Sequence, residues 1–262
     1  MTTAMSSNVP SRLIGELTFQ DIPKRLRATS ILCMPIGSFE QHGPHLPLNT
    51  DAVLAEEFTR RIIGRWAETY DLWQLPTLSV SLAREHEWAS GTLSLSIQGM
   101  TALVRDLGRE IARSLPARNL AIINGHGGNR GILEALAQDL RADFGLNICV
   151  IHPAVWADGS NTAVPEIHGG KNETSLMLAI APQLVRRDLI AKKINLDAEA
   201  VRSVILDPAV TWPWTTGEQQ IADMGVIGDP RAATAEWGEH LLELVTKNAG
   251  PVFRQLLDRQ QS

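Results

Sequence analysis

Residues 119–145, NLAIINGHGGNRGILEALAQDLRADFG, combine an apolar run, a glycine-rich turn and a helical pattern in immediate succession. The run LAIIN has the length of a buried strand, and the residues after the glycines carry apolar side chains at helical spacing. The next segment, LNICVIHPAVW, begins with another apolar run that predicts a further strand. A strand, a helix and a strand in this order predict parallel pairing through a right-handed crossover.

The same alternation extends toward the N-terminus. ILCMPIG (31–37) and LWQLPTLSV (72–80) predict strands, and helical patterns follow them over residues 51–68 and 97–115. Repeated units of this kind form a parallel sheet that helices cover on both faces. The predicted fold class is therefore α/β, a three-layer sandwich with a mainly parallel central sheet and helices on both faces.

The C-terminal third of the chain predicts two more helices and a loop. NETSLMLAIAPQLV (172–185) has a helical pattern that ends near its proline, and residues 229–260 predict a long terminal helix. The Gly250-Pro251 pair is a point at which that helix could break. Residues 195–230 are rich in Pro, Gly and Trp, and they predict a long ordered loop.

The composition is that of an ordinary globular protein, with 44% apolar residues, 20% charged residues and a formal charge of −5. An acidic chain without long basic runs attracts no phosphate backbone, so no nucleic-acid partner is expected. No apolar run approaches the about 18 residues of a membrane span, so no membrane partner is expected. We predict one domain over residues 1–262, with residues 1–12 as a flexible tail.

The two cysteines, Cys33 and Cys149, both lie within predicted strands. Small buried residues of a core explain them better than a disulfide does. This cysteine usage, together with an N-terminal segment that has no signal-peptide pattern, predicts a cytoplasmic location.

Polar side chains follow several of the predicted strands. Glu40 and His42 come after the first strand, His126 after LAIIN, and His168 and Glu173 after the last strand. The carboxyl ends of parallel strands meet at one edge of a sheet, so we expect these side chains to converge there. Glu40 and His42 are two residues apart and project to the same side if the backbone is extended.

Asp51, at the start of a predicted helix, has two interpretations. It is either a capping carboxylate or a further member of the polar group. Glu, Asp and His side chains suit Zn, Mn or Fe ions, and an Asp between two ions can bridge them. Two ions about 3.5–4 Å apart would hold a hydroxide at neutral pH and polarise a carbonyl oxygen. Such a site predicts hydrolysis of an amide or a related C–N bond.

Ordinary explanations exist for the other polar features. A lone histidine in a loop is usually a surface or hydrogen-bonding residue, and this applies to the four remaining histidines, His45, His86, His152 and His240. NGHGGN could hold an anion at a helix N-terminus, but it lacks the P-loop lysine and the spacing of a dinucleotide fingerprint.

Four blocks taken together resemble the creatininase family, the creatinine amidohydrolases and their relatives. These blocks are PIGSFEQHGPHLPLNTD, NGHGGN, HGGKNETSLMLA and GVIGDPRAATAEWG, and the resemblance extends from about Gly15 to about Val245. It implies a three-layer α/β fold, assembly as a homohexamer, and C–N bond hydrolysis with two divalent metal ions per subunit. Zinc is expected before manganese or iron.

The resemblance also implies roles for individual residues. Glu40 and His126 would hold one metal, His42 would hold the other, and Asp51 would bridge the two. His168 matches the histidine that is proposed to transfer a proton to the leaving nitrogen.

The NGHGGN block departs from creatininase itself, which carries an acidic residue where this chain has Gly128. The resemblance implies that relatives with NGHGGN take the remaining carboxylate ligand from the later His-x-Gly-x-x-Glu block. We therefore assign Glu173 to the second metal, with a further possible role as general base. The alternative for Glu173 is a first-turn carboxylate that completes a helix N-terminus.

The segment HEWASGTLSLS (86–96) differs from the pattern of many relatives, so the natural substrate need not be creatinine. Five side chains are predicted to contact the substrate: His86, Trp88, Ser90, Trp156 and Trp212. The predicted substrate is a small amide, a cyclic amide or a formamide. One alternative is a deformylase or a peptidase-like enzyme that acts on a larger metabolite or a short peptide. The other alternative is a non-catalytic oligomeric ligand-binding protein.

Overall fold

A parallel sheet lies at the centre of the computed structural model, which describes residues 11–157 and 164–260. Within these residues the sheet has four strands: β1 Ile31–Ile36, β2 Leu72–Gln74, β3 Asn119–Asn124 and β4 Asn147–Ile151. Their spatial order is β2-β1-β3-β4, and every neighbouring pair is parallel. The predicted parallel sheet is therefore confirmed.

Helices cover the sheet on both sides. The described residues form α1 Ile22–Arg25, α2 Thr50–Tyr70, α3 Ile97–Ser114, α4 Arg130–Phe144, α5 Pro153–Trp156, α6 Lys171–Ile180, α7 Ala198–Val201 and α8 Ala235–Gln260. Helices α2, α6 and α8 pack on one face of the sheet, and α3 and α4 pack on the other. The three-layer sandwich is confirmed.

The strand β1 shows why a strand at the centre of this fold is rich in apolar residues. All six of its residues are buried. Ile31 and Cys33 join the core under α2, α6 and α8, whereas Leu32, Met34 and Ile36 join the core under α3 and α4. Because successive side chains of a strand point to opposite faces, a strand covered on both faces needs an apolar residue at every position.

Two predicted elements differ in extent from the structure. Only Leu72–Gln74 of the predicted strand 72–80 pair continuously with β1. Pro76 has no N–H to donate, and Leu78 returns to the sheet only as a single bridge to Ile36. The terminal helix α8 begins at Ala235 and not at Asp229, because residues Pro230–Ala232 form a separate 3-10 turn, and it continues through Pro251, so the break considered at that point is absent.

The predicted loop over residues 195–230 is ordered and mostly irregular. It contains α7 and one π-helical turn at Arg202–Leu206, and it has a small apolar cluster that includes Val201 and Ile227. The predicted N-terminal tail lies largely outside the described residues, since the description begins at residue 11. Arg12 donates a hydrogen bond to Asp71 at 2.7 Å.

Both cysteines are free thiols, and they lie on β1 and β4, the two strands that flank β3, where each pairs in register with Ala121. Burial raises the pKa of both thiols, to about 12 for Cys149. Among the described helices, none combines the length and the hydropathy needed to cross a bilayer.

Candidate metal centre

The loop between β1 and α2 brings three acidic and basic side chains to the carboxyl edge of the sheet. Glu40 and His42 lie in this loop, and Asp51 is the second residue of α2. A Cβ atom on Gly37 would lie 2.3 Å from the backbone nitrogen of Ala52. The end of β1 can therefore approach the start of α2 this closely only because residue 37 is a glycine.

Two other segments complete the group from neighbouring positions. His126 comes two residues after β3, and His168 and Glu173 lie just before and within the first turn of α6. His168 is held by backbone hydrogen bonds with Ile227 in both directions, at 2.8 and 3.0 Å. The sequence-predicted residues therefore meet at one edge, as the topology of a parallel sheet requires.

Asp51 lies between two histidines. Its Oδ1 is 3.0 Å from Nε2 of His42, and its Oδ2 is 3.0 Å from Nδ1 of His126. Nδ1 of His126 is also 3.2 Å from Oε1 of Glu40, and Nε2 of His42 is 3.8 Å from Oε2 of Glu173. Asp51 thus offers one oxygen to each side of the cluster and is not a helix cap.

Among the described residues, three overlapping sets of side chains could each hold a metal ion, because within each set the donor atoms lie within 4.8 Å of one another. They are Glu40 with Asp51 and His126, His42 with Asp51 and Glu173, and Glu40 with His42 and His168. Asp51 belongs to the first two sets. The arrangement is a candidate binuclear metal site.

Unsatisfied polar atoms show that this cluster fits metal ions. Both carboxylate oxygens of Glu40, Oδ2 of Asp51 and Nε2 of His126 are buried without a hydrogen-bond partner among the described residues. Leaving such groups unpaired in a protein interior is costly, by about 1–3 kcal/mol each and more when they are charged. Divalent cations would satisfy the carboxylates and so account for their position.

The pKa values of His42 and His126 also indicate a site suited to cations. Burial opposes charge on His42, but the facing carboxylates of Asp51, Glu173 and Glu40 raise its pKa to about 10. Burial likewise opposes charge on His126, yet the carboxylates of Glu40, Asp51 and Glu85 raise its pKa well above the usual range. Protonated imidazoles thus supply the positive charge that the carboxylates require, and metal ions would take their place with release of protons.

The contacts of Glu173 are compatible with both of its predicted interpretations. Its Oε2 accepts a hydrogen bond from the backbone N–H of Gly169 at 2.6 Å, as a first-turn carboxylate does. The same oxygen faces His42, which places it in a candidate metal set. Burial raises the pKa of Glu173 to about 7.

His168 is enclosed by other rings. Its ring centroid lies 4.2 Å from that of His42 and 4.1 Å from that of His86. Its Nε2 is 2.7 Å from the backbone oxygen of Gln41, so Nε2 carries the proton and Nδ1 faces Glu40 at 3.7 Å. Burial and the two neighbouring histidines hold the pKa of His168 well below its usual value.

The five predicted substrate-contacting residues have different surroundings. His86 belongs to the buried cluster, where its Nε2 is 3.1 Å from Oε1 of Glu40. Trp88 is half exposed and donates its indole N–H to Oγ1 of Thr216 at 2.9 Å. Ser90 and Trp212 are exposed, and Trp156 packs against the core.

Three functional candidates were not predicted from the sequence: Gln41, Glu85 and Thr216. Nε2 of Gln41 lies 2.9–3.1 Å from ring nitrogens of His86 and His168 and from Oγ1 of Thr216. The positions of Gln41 and Glu85, each next to a histidine of the cluster, were a usable signal. Thr216 gave none, because only the folded loop brings it to His86.

Two cavities adjoin the cluster. One of about 50 Å³ is lined by His168 and Glu173 and by the apolar side chains Leu54, Phe58 and Leu176. The other, of about 470 Å³, is lined by Trp88, Thr216, Gly225 and residues around them. Both Thr216 and Gly225 contact Gln41, so the larger cavity lies directly outside the buried cluster.

Comparison with known proteins relates this geometry to a family. The family model described as "Creatininase: Creatinine amidohydrolase" matches residues 15–251. The mycofactocin precursor peptide peptidase of Mycobacterium ulcerans is 30% identical over 246 residues, which cover 92% of this chain and 90% of that protein. The creatinine amidohydrolase of Pseudomonas putida is also 30% identical, with coverage of 94% and 97%.

A solved structure described as "Creatininase Mn" superimposes with a TM-score of 0.73 at 26% identity. The match covers 94% of this chain and 98% of that one. The sequence and the fold thus match this family over nearly the whole chain, and the buried Glu, Asp and His side chains form a candidate metal site. This protein belongs to the creatininase family of hydrolases.

Proposed function

We propose that this protein hydrolyses an amide C–N bond in a small non-peptide substrate, such as a linear amide, a cyclic amide or a formamide. The observation that carries the proposal is the position of Asp51, whose two oxygens face His42 and His126 at 3.0 Å each. A carboxylate so placed suits the bridge between two cations. The unsatisfied oxygens of Glu40 beside it support the same conclusion.

In this proposal Glu40, Asp51 and His126 hold one divalent ion, and His42, Asp51 and Glu173 hold the other. When bound, the ions would supply Lewis-acid polarisation of the carbonyl and a water of lowered pKa. The backbone N–H of Gly169 fixes the carboxylate of Glu173, so this side chain is oriented before substrate arrives. Glu173 could in addition accept a proton from the attacking water.

His168 is proposed to deliver the proton to the leaving nitrogen. Its Nε2–H is occupied by the backbone oxygen of Gln41, so Nδ1 is the atom from which a proton passes. The low pKa of His168 leaves Nδ1 unprotonated at neutral pH, so Nδ1 is free to take up a proton released by the attacking water and to pass it to the leaving nitrogen. His168 also lines the smaller cavity, next to Glu173.

Removal of metal provides the first test. Protein treated with a chelator is expected to lose turnover of every active compound in a panel of creatinine, formamides and short peptides. Zn²⁺, Mn²⁺ or Fe²⁺ should restore it, with close to two equivalents per chain by elemental analysis. Full turnover by protein that contains no metal would contradict the proposal.

A His168→Gln variant tests the proton donor. We expect kcat to fall by about 10²–10⁴-fold, the usual contribution of a general acid, while both metal equivalents are retained. A matched change, His240→Gln, alters an exposed histidine of α8 and should leave kcat unchanged. Loss of one metal equivalent from His168→Gln would instead make His168 a ligand, as the set of Glu40, His42 and His168 would permit.

A second candidate function is hydrolysis of a short peptide. The similarity to a peptidase over 92% of the chain favours it, and the larger cavity beside Gln41 offers room for an extended substrate. Within the panel, higher kcat/KM for peptides than for creatinine and formamides would select this candidate. Metal binding without turnover of any compound would favour the non-catalytic ligand-binding alternative.

A homohexameric assembly and a cytoplasmic location remain predictions. Sedimentation of the purified protein would test the first, and fractionation of cells that express it would test the second.

A further inference from the structure

Glu85 carries a carboxylate that the proposed mechanism does not use. It lies in the 3-10 turn Arg84–His86, and its side chain is only 15% exposed. Its Oε1 is 3.4 Å from Nε2 of His126 and 3.9 Å from Nε2 of His86. Glu85 therefore lies at the Nε2 edge of the His126 ring, whereas Asp51 lies at the Nδ1 edge.

His126 presents its two nitrogens to different carboxylates. Nδ1 faces Asp51 and Glu40, and Nε2 faces Glu85. A neutral imidazole that offers a lone pair at Nδ1 carries its proton at Nε2. Nε2 is buried without a hydrogen bond among the described residues, and the carboxylate of Glu85 is the acceptor placed to receive a hydrogen bond from it.

The glycine at position 128 makes room for this pair. A Cβ atom there would lie 2.3 Å from Oε1 of Glu85 and 2.4 Å from Nε2 of His126. Any other residue would have to displace one of the two groups. The absence of a side chain at Gly128 thus allows the carboxylate of Glu85 to lie beside Nε2 of His126.

The backbone of Glu85 is anchored by a distant loop. Its carbonyl oxygen accepts hydrogen bonds from the backbone N–H of Thr216 at 3.0 Å and from Oγ1 of Thr215 at 2.8 Å. The backbone from which the Glu85 carboxylate projects is therefore fixed, as expected for a residue that orients another side chain.

We infer that Glu85 is a positioning residue, whose carboxylate accepts a hydrogen bond from Nε2–H of His126 and so keeps Nδ1 directed at the metal centre. This role rests on the proposed binuclear site. Carboxylates that orient metal-binding histidines typically contribute about 10–100-fold to metal affinity or activity.

Competition with a chromophoric chelator for Zn²⁺ tests the inference. Glu85→Ala should weaken the binding of one of the two equivalents by about 10–100-fold. Glu85→Gln should lose less, because its amide oxygen still accepts a hydrogen bond. The matched control is Glu87→Ala, which removes an exposed carboxylate paired with Arg84 and should bind Zn²⁺ as the unmodified protein does.

Thermal unfolding of the metal-free proteins separates positioning from folding. An unchanged melting temperature of metal-free Glu85→Ala with weakened Zn²⁺ binding supports the inference. Unchanged Zn²⁺ affinity in Glu85→Ala overturns it, whatever the melting temperature. Failure of the unmodified protein to bind Zn²⁺ would overturn the binuclear site itself, which distinguishes the two failures.

Discussion

Asp51→Asn is expected to lower kcat/KM by on the order of 10³-fold and to leave at most one tightly bound metal ion. Asp51 takes part in two of the candidate sets, so its loss affects both metal positions at once. Removal of a bridging charge costs several kcal/mol of transition-state stabilisation, and about 4 kcal/mol corresponds to this factor in rate. Steady-state kinetics and elemental analysis on the same preparation measure the two effects.

The control for this change is Asp106→Asn. Asp106 is an exposed carboxylate of α3 that pairs with Arg109, and an exposed pair contributes little to stability or activity. Asp106→Asn should match the unmodified protein in both measurements. If Asp51→Asn retained two metal ions and full activity, the assignment of Asp51 as the bridge would be wrong.

Gly238→Ala is expected to destabilise the protein by at least about 1–3 kcal/mol, the usual cost of overpacking a tight contact. Gly238 lies in α8 where this helix crosses α6, and a Cβ atom there would be 2.0 Å from the backbone oxygen of Ser175. Backbone atoms cannot move aside as a flexible side chain can, so the helices must separate. Urea unfolding of metal-free protein would show the change as a lower midpoint.

A glycine in another helix supplies a matched change with the opposite sign. Nothing lies within 4 Å of a Cβ atom built on Gly64 of α2. Gly64→Ala should therefore stabilise the protein by roughly 0.5–1 kcal/mol, since alanine loses less backbone entropy in a helix. Equal unfolding midpoints for the two variants would contradict the close crossing of α6 and α8.

The layered fold was predictable because its strands are apolar along most of their length. A run such as Ile31–Ile36 leaves no polar face for solvent, so it can only lie inside a sheet that is covered on both sides. The short length of β2 was not predictable to the same degree. Pro76, just after β2, cannot donate to the ladder, but the later return of Leu78 to the sheet depends on contacts with β1.

The candidate metal residues were predictable from their places after strands and from the family resemblance. His86 alone would be an ordinary loop histidine, and the sequence predicted it only as a substrate-contacting residue. The structure places His86 against Glu40, inside the cluster.

The contact between Glu85 and His126 could not be derived from the sequence. The two residues lie in different loops, and nothing in either loop specifies the distance between them. Gly128 was visible as a departure from creatininase, but only the fold shows that a carboxylate from elsewhere fills the space beside it.

The donors at the sheet edge are widely separated along the chain, from Glu40 to Glu173. A nascent polypeptide that has emerged only through α4 presents Glu40, Asp51 and His126 but still lacks Glu173. Helix α8, which covers α2 and α6, is synthesised after both of them. Loading of both ions in the proposed site must therefore follow synthesis of the chain through Glu173, and a chain truncated before α6 would be released without a complete centre.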